Sequence, residues 1–257
     1  MAATLFGLGV AGAFAAGLLG IGGALIMIPL LLYVPPLLGV GSLDVKTVAA
    51  ITMVQVFVAS LTGMLAHRRY DAVNVDLAWI GGTAMAVASF LGALLSKYAP
   101  ERWLLVVFAL MVTVAIVLML IPLDSVEPVH AGERTRYSPA RIVAVAGAVG
   151  LAAGFVGAGG AFLLVPLLLV VVGVPIRVTI GSSLAITAVA AIAGVAGKLI
   201  TGQVPPGPAA AVALGALPGA PLGAAVSRRL GVWPLRLILL MFITLTAARV
   251  WWDVAVR

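Results

Sequence analysis

From Met1 to Leu43 the chain carries no charged side chain, and Ile142 to Ile176 carries none either. These runs of 43 and 35 residues each exceed the ~20 apolar residues that cross a bilayer. Inside hydrocarbon every backbone group must find its hydrogen bond within the protein, so runs of this length are admissible only as helices or closed barrels. Their Ala, Leu and Val content, with no alternation of apolar and polar residues, selects helices. Composition agrees: 9% of residues are charged, 63% are hydrophobic and the mean hydropathy is +1.26, whereas a soluble domain is about 25% charged. The expected fold class is an all-α polytopic membrane protein. Soluble enzymes and secreted disulfide scaffolds are excluded, and the absence of Cys removes thiol chemistry and Cys-ligated metals.

The net charge of +7 would suggest nucleic acid in a soluble protein. Here Lys and Arg sit in short connections between apolar stretches, where they anchor topology, so no nucleic-acid partner is expected. The N-terminus lacks a basic leader, and its apolar run outlasts a signal-peptide core, so it does not resemble a cleaved signal. Charge, Pro and Gly punctuate eight apolar segments near 3–33, 45–66, 77–96, 103–122, 140–172, 177–200, 208–227 and 232–252. The connection from Leu123 to Pro139 holds Asp124, Glu127, His130, Glu133, Arg134 and Arg136. It divides the chain into a first transmembrane repeat (1–122), a polar linker (123–139) and a second transmembrane repeat (140–257).

The two halves are copies. The stretch Gly17–Leu32 aligns without gaps on Gly154–Leu169, with nine of sixteen positions identical at an offset of 137. Gly20, Gly22, Gly23 and Pro29 fall on Gly157, Gly159, Gly160 and Pro166. After a loop six residues shorter in the second half, an offset of 131 pairs Lys46 with Arg177, Gly63 with Gly194, His67 with Lys198 and Ser96 with Ser227. Segments 3–33 and 140–172 are too long for one crossing and too short for two. Gly costs about 1 kcal/mol and Pro about 3 kcal/mol against Ala inside a helix. The clustered Gly, with Pro six residues on, therefore predict a broken or re-entrant helix at the start of each repeat. Such a pair of interrupted helices is the sequence pointer to a midplane transport site. Small-xxx-small pairs such as Gly150/Gly154 and Gly219/Gly223 are also explained by close helix packing. Pro218 and Pro221 are expected to kink the seventh segment.

If the first segments are re-entrant, each half crosses three times and the second half is inverted. Arg68, Arg69, Arg134, Arg136, Arg141, Arg177, Arg228, Arg229 and Arg236 then share one face. Lys46, Lys97, Arg102, Lys198, Arg249 and Arg257 share the other. The positive-inside rule places the nine-residue face in the cytoplasm.

All eight acids lie at segment ends or in connections. Cation carriers neutralise their cargo with intramembrane carboxylates, so a metal or Na⁺ pathway is not expected, and no metal site or cofactor is indicated. Half-helix N-termini instead offer oriented N–H groups to an anion. Thr52 and Gln55 in one half, with Ser182, Ser183 and Thr187 in the other, add donors; Thr47, Ser60, Thr62 and Thr179 lie on the same segments. An intramembrane hydroxyl also commonly bonds its own helix carbonyl. His67 and Lys198 are expected at opposite mouths of one pathway, drawing an anion in. There is no Gly-x-Ser-x-Gly elbow, paired carboxylate or HExxH, and so no enzyme constellation.

The run Gly17-Leu-Leu-Gly-Ile-Gly-Gly-Ala-Leu-Ile-Met-Ile-Pro-Leu-Leu-Leu, then Gly63-Met-Leu-Ala-His67-Arg-Arg-Tyr-Asp-Ala-Val-Asn74, resembles the TauE/SafE family of membrane transporters. Gly154-Phe-Val-Gly-Ala-Gly-Gly, Gly181-Ser-Ser-Leu and Gly202-Gln-Val resemble that family's second repeat. The resemblance implies a bacterial or archaeal plasma-membrane permease for sulfite, organosulfonates or other small anions. Two departures stand out: Ile51-Thr52-Met53 where first-half members often carry Thr-Ser, and Lys198 where a His would echo His67. The expected function is a secondary transporter, an exporter of a small anion, working by alternating access. An anion channel is the alternative, and a transition-metal permease a more distant one. The sequence leaves the oligomeric state open, a homodimer included.

Overall fold

Each charge-free run forms two helices instead of one rod. The computed structural model describes residues 1–19, 22–68, 74–121, 137–227, 229 and 232–256, apart from the side chains of 66–68, 176, 177, 180, 232–236, 238, 239 and 256. In chain order the helices are α1 (Ala2–Leu19), α2 (Ala24–Leu37), α3 (Val45–Arg68), α4 (Val75–Ser96), α5 (Glu101–Leu120), α6 (Pro139–Val156), α7 (Ala161–Leu167), α8 (Ile176–Ile200), α9 (Pro206–Ser227) and α10 (Val232–Val256). A π-helical turn, Leu168–Val172, continues α7. Among the described residues there is no strand. Seven helices there, α1, α3, α4, α5, α6, α8 and α9, are long and apolar enough to cross a membrane; α2 and α7 with its π turn are shorter apolar helices. Large apolar side chains such as Trp79, Val117 and Leu245 face outward, as lipid-facing helix surfaces require.

Glycine makes both breaks. Gly22 (φ 74°), Gly23 (φ 80°), Gly157 (φ 80°), Gly159 (φ 62°) and Gly160 (φ 75°) all lie in the left-handed region, which only Gly occupies without a steric penalty. The prolines play a different part from the one expected. Pro29 lies inside α2 with Pro35 and Pro36, and Pro166 lies inside α7, just before the π turn. Proline removes one helical hydrogen bond and bends a helix, whereas successive left-handed glycines reverse it. Pro218 and Pro221 likewise sit within α9, which runs through both of them.

At each break the chain folds back on itself. A Cβ on Gly12 would stand 2.7 Å from Met27 Sδ, and one on Gly41 would stand 3.7 Å from Met1 Sδ. The α1–α2 hairpin thus leaves the bundle at the end where it began. Gly160 packs similarly against Val149 and Ala153 of α6.

The long helices interlock through bare backbone. Gly9 and Gly17 lie against the carbonyls of Val212 and Ala220, so α1 and α9 run side by side in one direction. Gly150 and Gly154 lie against the carbonyls of Met85 and Ser89, which sets α6 beside α4 in the same manner. The small-xxx-small pairs Gly150/Gly154 and Gly219/Gly223 serve this close packing. In the centre α3 and α8 cross in opposite directions: Gly63 faces Leu184 while Gly194 faces Met53. Outer ties complete the frame. The Tyr33 hydroxyl of α2 donates to Asp253 of α10, whose carboxylate also pairs with Arg249 at 3.5 Å. Trp251 Nε1 donates to Thr113 Oγ1 at 3.0 Å, joining α10 to α5.

Candidate functional site

The two hairpin tips converge where α3 crosses α8. A Cβ on Gly22 would stand 3.2 Å from Ala161 Cβ, 3.6 Å from Ser60 Oγ and 3.7 Å from Thr187 Cγ2. One on Gly23 would stand 3.0 Å from Gln55 Nε2. The first tip therefore touches the second tip and both central helices. Gly159 is packed on Val56, Gly157 on the Ala49 carbonyl, and Gly160 among Val149, Ala153 and Met85.

Thr52, Gln55 and Ser60 on α3 and Thr187 on α8 are all fully buried. Among the described residues Thr52 Oγ1, both polar atoms of the Gln55 amide, Ser60 Oγ and Thr187 Oγ1 have no hydrogen-bond partner. Leaving such a group buried and unpaired costs about 1–3 kcal/mol. Native folds rarely retain several together without a use for them. Thr62, two residues beyond Ser60, shows the ordinary alternative: its hydroxyl donates to the Val58 carbonyl at 2.7 Å.

Gly23 is the N-cap of α2 and lends no side-chain oxygen to it. The amides of Ile26 and Met27 turn back to the Gly23 carbonyl, at 3.2 and 2.9 Å. The first-turn N–H groups ahead of them carry the partial positive charge of a helix start. The tip thus combines a helix N-terminus with hydroxyl and amide side chains. Among the described residues no group of three or more His, Asp or Glu side chains is placed to hold a metal ion.

The polar groups are distributed unequally between the halves. At the 131-residue offset Thr187 matches Val56, Gln55 matches Ile186 and Ser60 matches Ala191. Gly22 meets Thr187 and Ser60 where Gly159 meets Val56. Gly22 and Gly23 thus meet Ser60 and Gln55 where Gly159 meets Val56, while Thr52, three residues from Ala49 and four from Val56, lies on the face of α3 that packs on Gly157 and Gly159.

The other expected residues fall elsewhere. Ser182 is buried, and its Oγ accepts the Asn74 N–H at 3.0 Å; Asn74 Oδ1 in turn caps α4 by accepting the Leu77 N–H at 2.9 Å. Ser182 thereby holds the start of α4. Ser183 is buried next to it in α8. Lys198 occupies the last turn of α8, as expected, but it is fully buried and does not line an open mouth. Its ammonium donates to Ser96 Oγ at 2.5 Å and to Gln203 Oε1 at 3.1 Å. Gly20 and the side chain of His67 lie outside the described residues. Sequence reasoning passed over Ser96 and Gln203 as partners of Lys198; the one signal for Ser96 was its pairing with Ser227 across the repeats.

Comparison with known proteins agrees with this architecture. The family described as Sulfite exporter TauE/SafE matches residues 5–250. Two proteins of Xylella fastidiosa, strains Temecula1 and 9a5c, are each named a probable membrane transporter protein. Each is 32% identical to this chain over 171 residues, covering 66% of this chain and 64% of its own length. The match thus spans less than two thirds of those relatives. The probable membrane transporter protein YunE of Bacillus subtilis is 27% identical over 239 residues, 87% of either chain. No solved structure matches.

Proposed function

The chain belongs to the TauE/SafE family of membrane transporters, and from that premise we propose that it exports a small oxyanion, a sulfite or an organosulfonate, across the plasma membrane as a secondary carrier. The observation that carries this reading is the set of buried polar atoms left without partners on Thr52, Gln55, Ser60 and Thr187. Three hydroxyls, an amide NH₂ and the start of α2 at Gly22 and Gly23 suit an acceptor-only head with several oxygens. A cation would instead call for carboxylates, and the acids of this chain lie at segment ends.

Alternating access between two inverted halves is favoured by the opposed directions of α3 and α8 and by the parallel pairs α1–α9 and α4–α6. Pairing each half's first helix with the other half lets one hairpin and its partner move as a unit past the central crossing. With the nine-residue basic face in the cytoplasm, an inside-negative potential drives an anion outward by about 2.3 kcal/mol per charge per 100 mV.

The test is purified protein with sulfite, methanesulfonate, taurine, lactate and Ni²⁺ in a thermal-shift panel, followed by flux in liposomes. Stabilisation by the sulfur oxyanions with saturable flux and counterflow is expected. Stabilisation by Ni²⁺ alone would refute the anion reading, and single-channel currents would replace the carrier with a channel.

A further inference from the structure

We propose a second oxyanion subsite centred on Lys198, a loading position through which the solute passes between the Lys46 end of the bundle and the central tip. This rests on the anion-carrier reading above. Lys198 is fully buried near the end of a membrane-spanning helix. Among the described residues no carboxylate lies within ion-pair distance of it. Its two bonded neighbours, Ser96 Oγ and Gln203 Oε1, are neutral. An ammonium has three donors, so among the described residues one remains unused.

The surrounding groups add positive charge and further donors. Lys46 at the start of α3 stands at this end of the bundle: its ammonium bonds the carbonyl of Lys97, the residue after Ser96, at 2.9 Å. Asp44 at the same end is engaged by the Thr47 N–H at 3.0 Å. Among the elements packed on α8, α4 carries Asp76 near its start, at the other end of that helix from Ser96, and α6 carries Arg141 near its start. Gln203 Nε2 donates to Thr201 Oγ1 at 2.7 Å, holding the amide beside the ammonium.

A buried amine in a span is held as an ammonium where a counter-charge reaches it. An oxyanion supplies the counter-charge that no side chain provides. Lys198 lies eleven residues along α8 from Thr187, about 16 Å at 1.5 Å per residue. That separation is too long for one small anion to bridge, so the two positions are distinct steps on one route.

The experiment is equilibrium binding of sulfite and methanesulfonate to protein in nanodiscs. The wild type should bind at two sites, Gln55→Leu should keep one of them, and Gln55→Leu combined with Lys198→Gln should keep neither. Lys198→Arg in the Gln55→Leu background should restore the remaining site to within about tenfold. If the wild type shows one site and Gln55→Leu abolishes it, the Lys198 subsite is wrong and the central site stands. If Lys198→Gln abolishes all binding while Gln55→Leu matches the wild type, the central site is wrong. Should Lys198→Gln fail to fold, the result for Gln55→Leu alone decides: no residual binding overturns the subsite.

Discussion

A Cβ on Gly22 would stand 3.7 Å from Thr187 Cγ2, so the first hairpin tip rests directly on the central helix of the other half. The matching position at the second tip pairs Gly159 with Val56. One backbone arrangement occurs twice, with Ser60 and Thr187 beside Gly22 where Val56 stands beside Gly159.

Gly22→Ala is expected to abolish transport and to lower stability by about 1–3 kcal/mol, the usual cost of holding a side chain in a left-handed backbone. Its φ is 74°, and the new methyl would come within 3.2 Å of Ala161 Cβ. Gly7→Ala is the control: nothing lies within 4 Å of that position in α1, so transport should persist and stability rise by about 0.5–1 kcal/mol. Thermal unfolding and liposome flux check both, and a Gly22→Ala protein that transports normally would count against the tip as the site.

Thr187→Val and Gln55→Leu should separate stability from function. Each removes polar atoms that are buried without a partner, so the unliganded variant should be as stable as the wild type or up to about 1–3 kcal/mol more stable. Transport should nevertheless fall at least tenfold. Loss of stability without loss of transport would mean that these groups serve packing.

Tyr33→Phe should lower stability by about 1.5–3 kcal/mol, the range for a hydrogen bond to a charged group. Tyr33 joins α2 to α10 through Asp253, and the Arg249 guanidinium lies 4.5 Å above its ring. Chemical denaturation of the variant, compared with Arg249→Met in a double-mutant cycle, should reveal coupling between the two positions.

Asp44 gives a pH test outside the spans. Partial burial pushes its carboxyl up, but hydrogen bonds from the Thr47 side chain and backbone outweigh that and hold it below the usual carboxylate value. A carboxyl lowered on folding adds stability above its unfolded pKa of about 3.9 and loses it as pH falls through the folded value. Asp44→Ala should cost about 0.5–1 kcal/mol at pH 7, as removal of a helix N-cap does. The difference should vanish well below pH 4. A gap unchanged at pH 3 would show that the carboxylate is not the cap.

The membrane class, the helix ends to within a few residues and the two breaks were all legible in the chain, because hydropathy and Gly clusters act locally. The spacing of Gly20, Gly22 and Gly23 against Gly157, Gly159 and Gly160 announced the duplication as well. Pro29 and Pro166 misled, since a proline six residues into a helix can be absorbed by a bend or a π turn. Lys198 was legible as a cation near a segment end; that it is buried with Ser96 of α4 and Gln203 depends on the packing of α4 on α8.

By itself the amino-acid order determined what this protein must be, a helical membrane bundle made of two related halves with glycine breaks, because those traits depend on side chains a few positions apart. The tertiary structure alone decided which described hydroxyls go unpaired, that both hairpin tips meet at the crossing of α3 and α8, and that Lys198 sits among neutral partners. Those outcomes depend on contacts between residues more than a hundred positions apart, such as Gly22 with Thr187 and Ser96 with Lys198, and no local pattern in the chain encodes them.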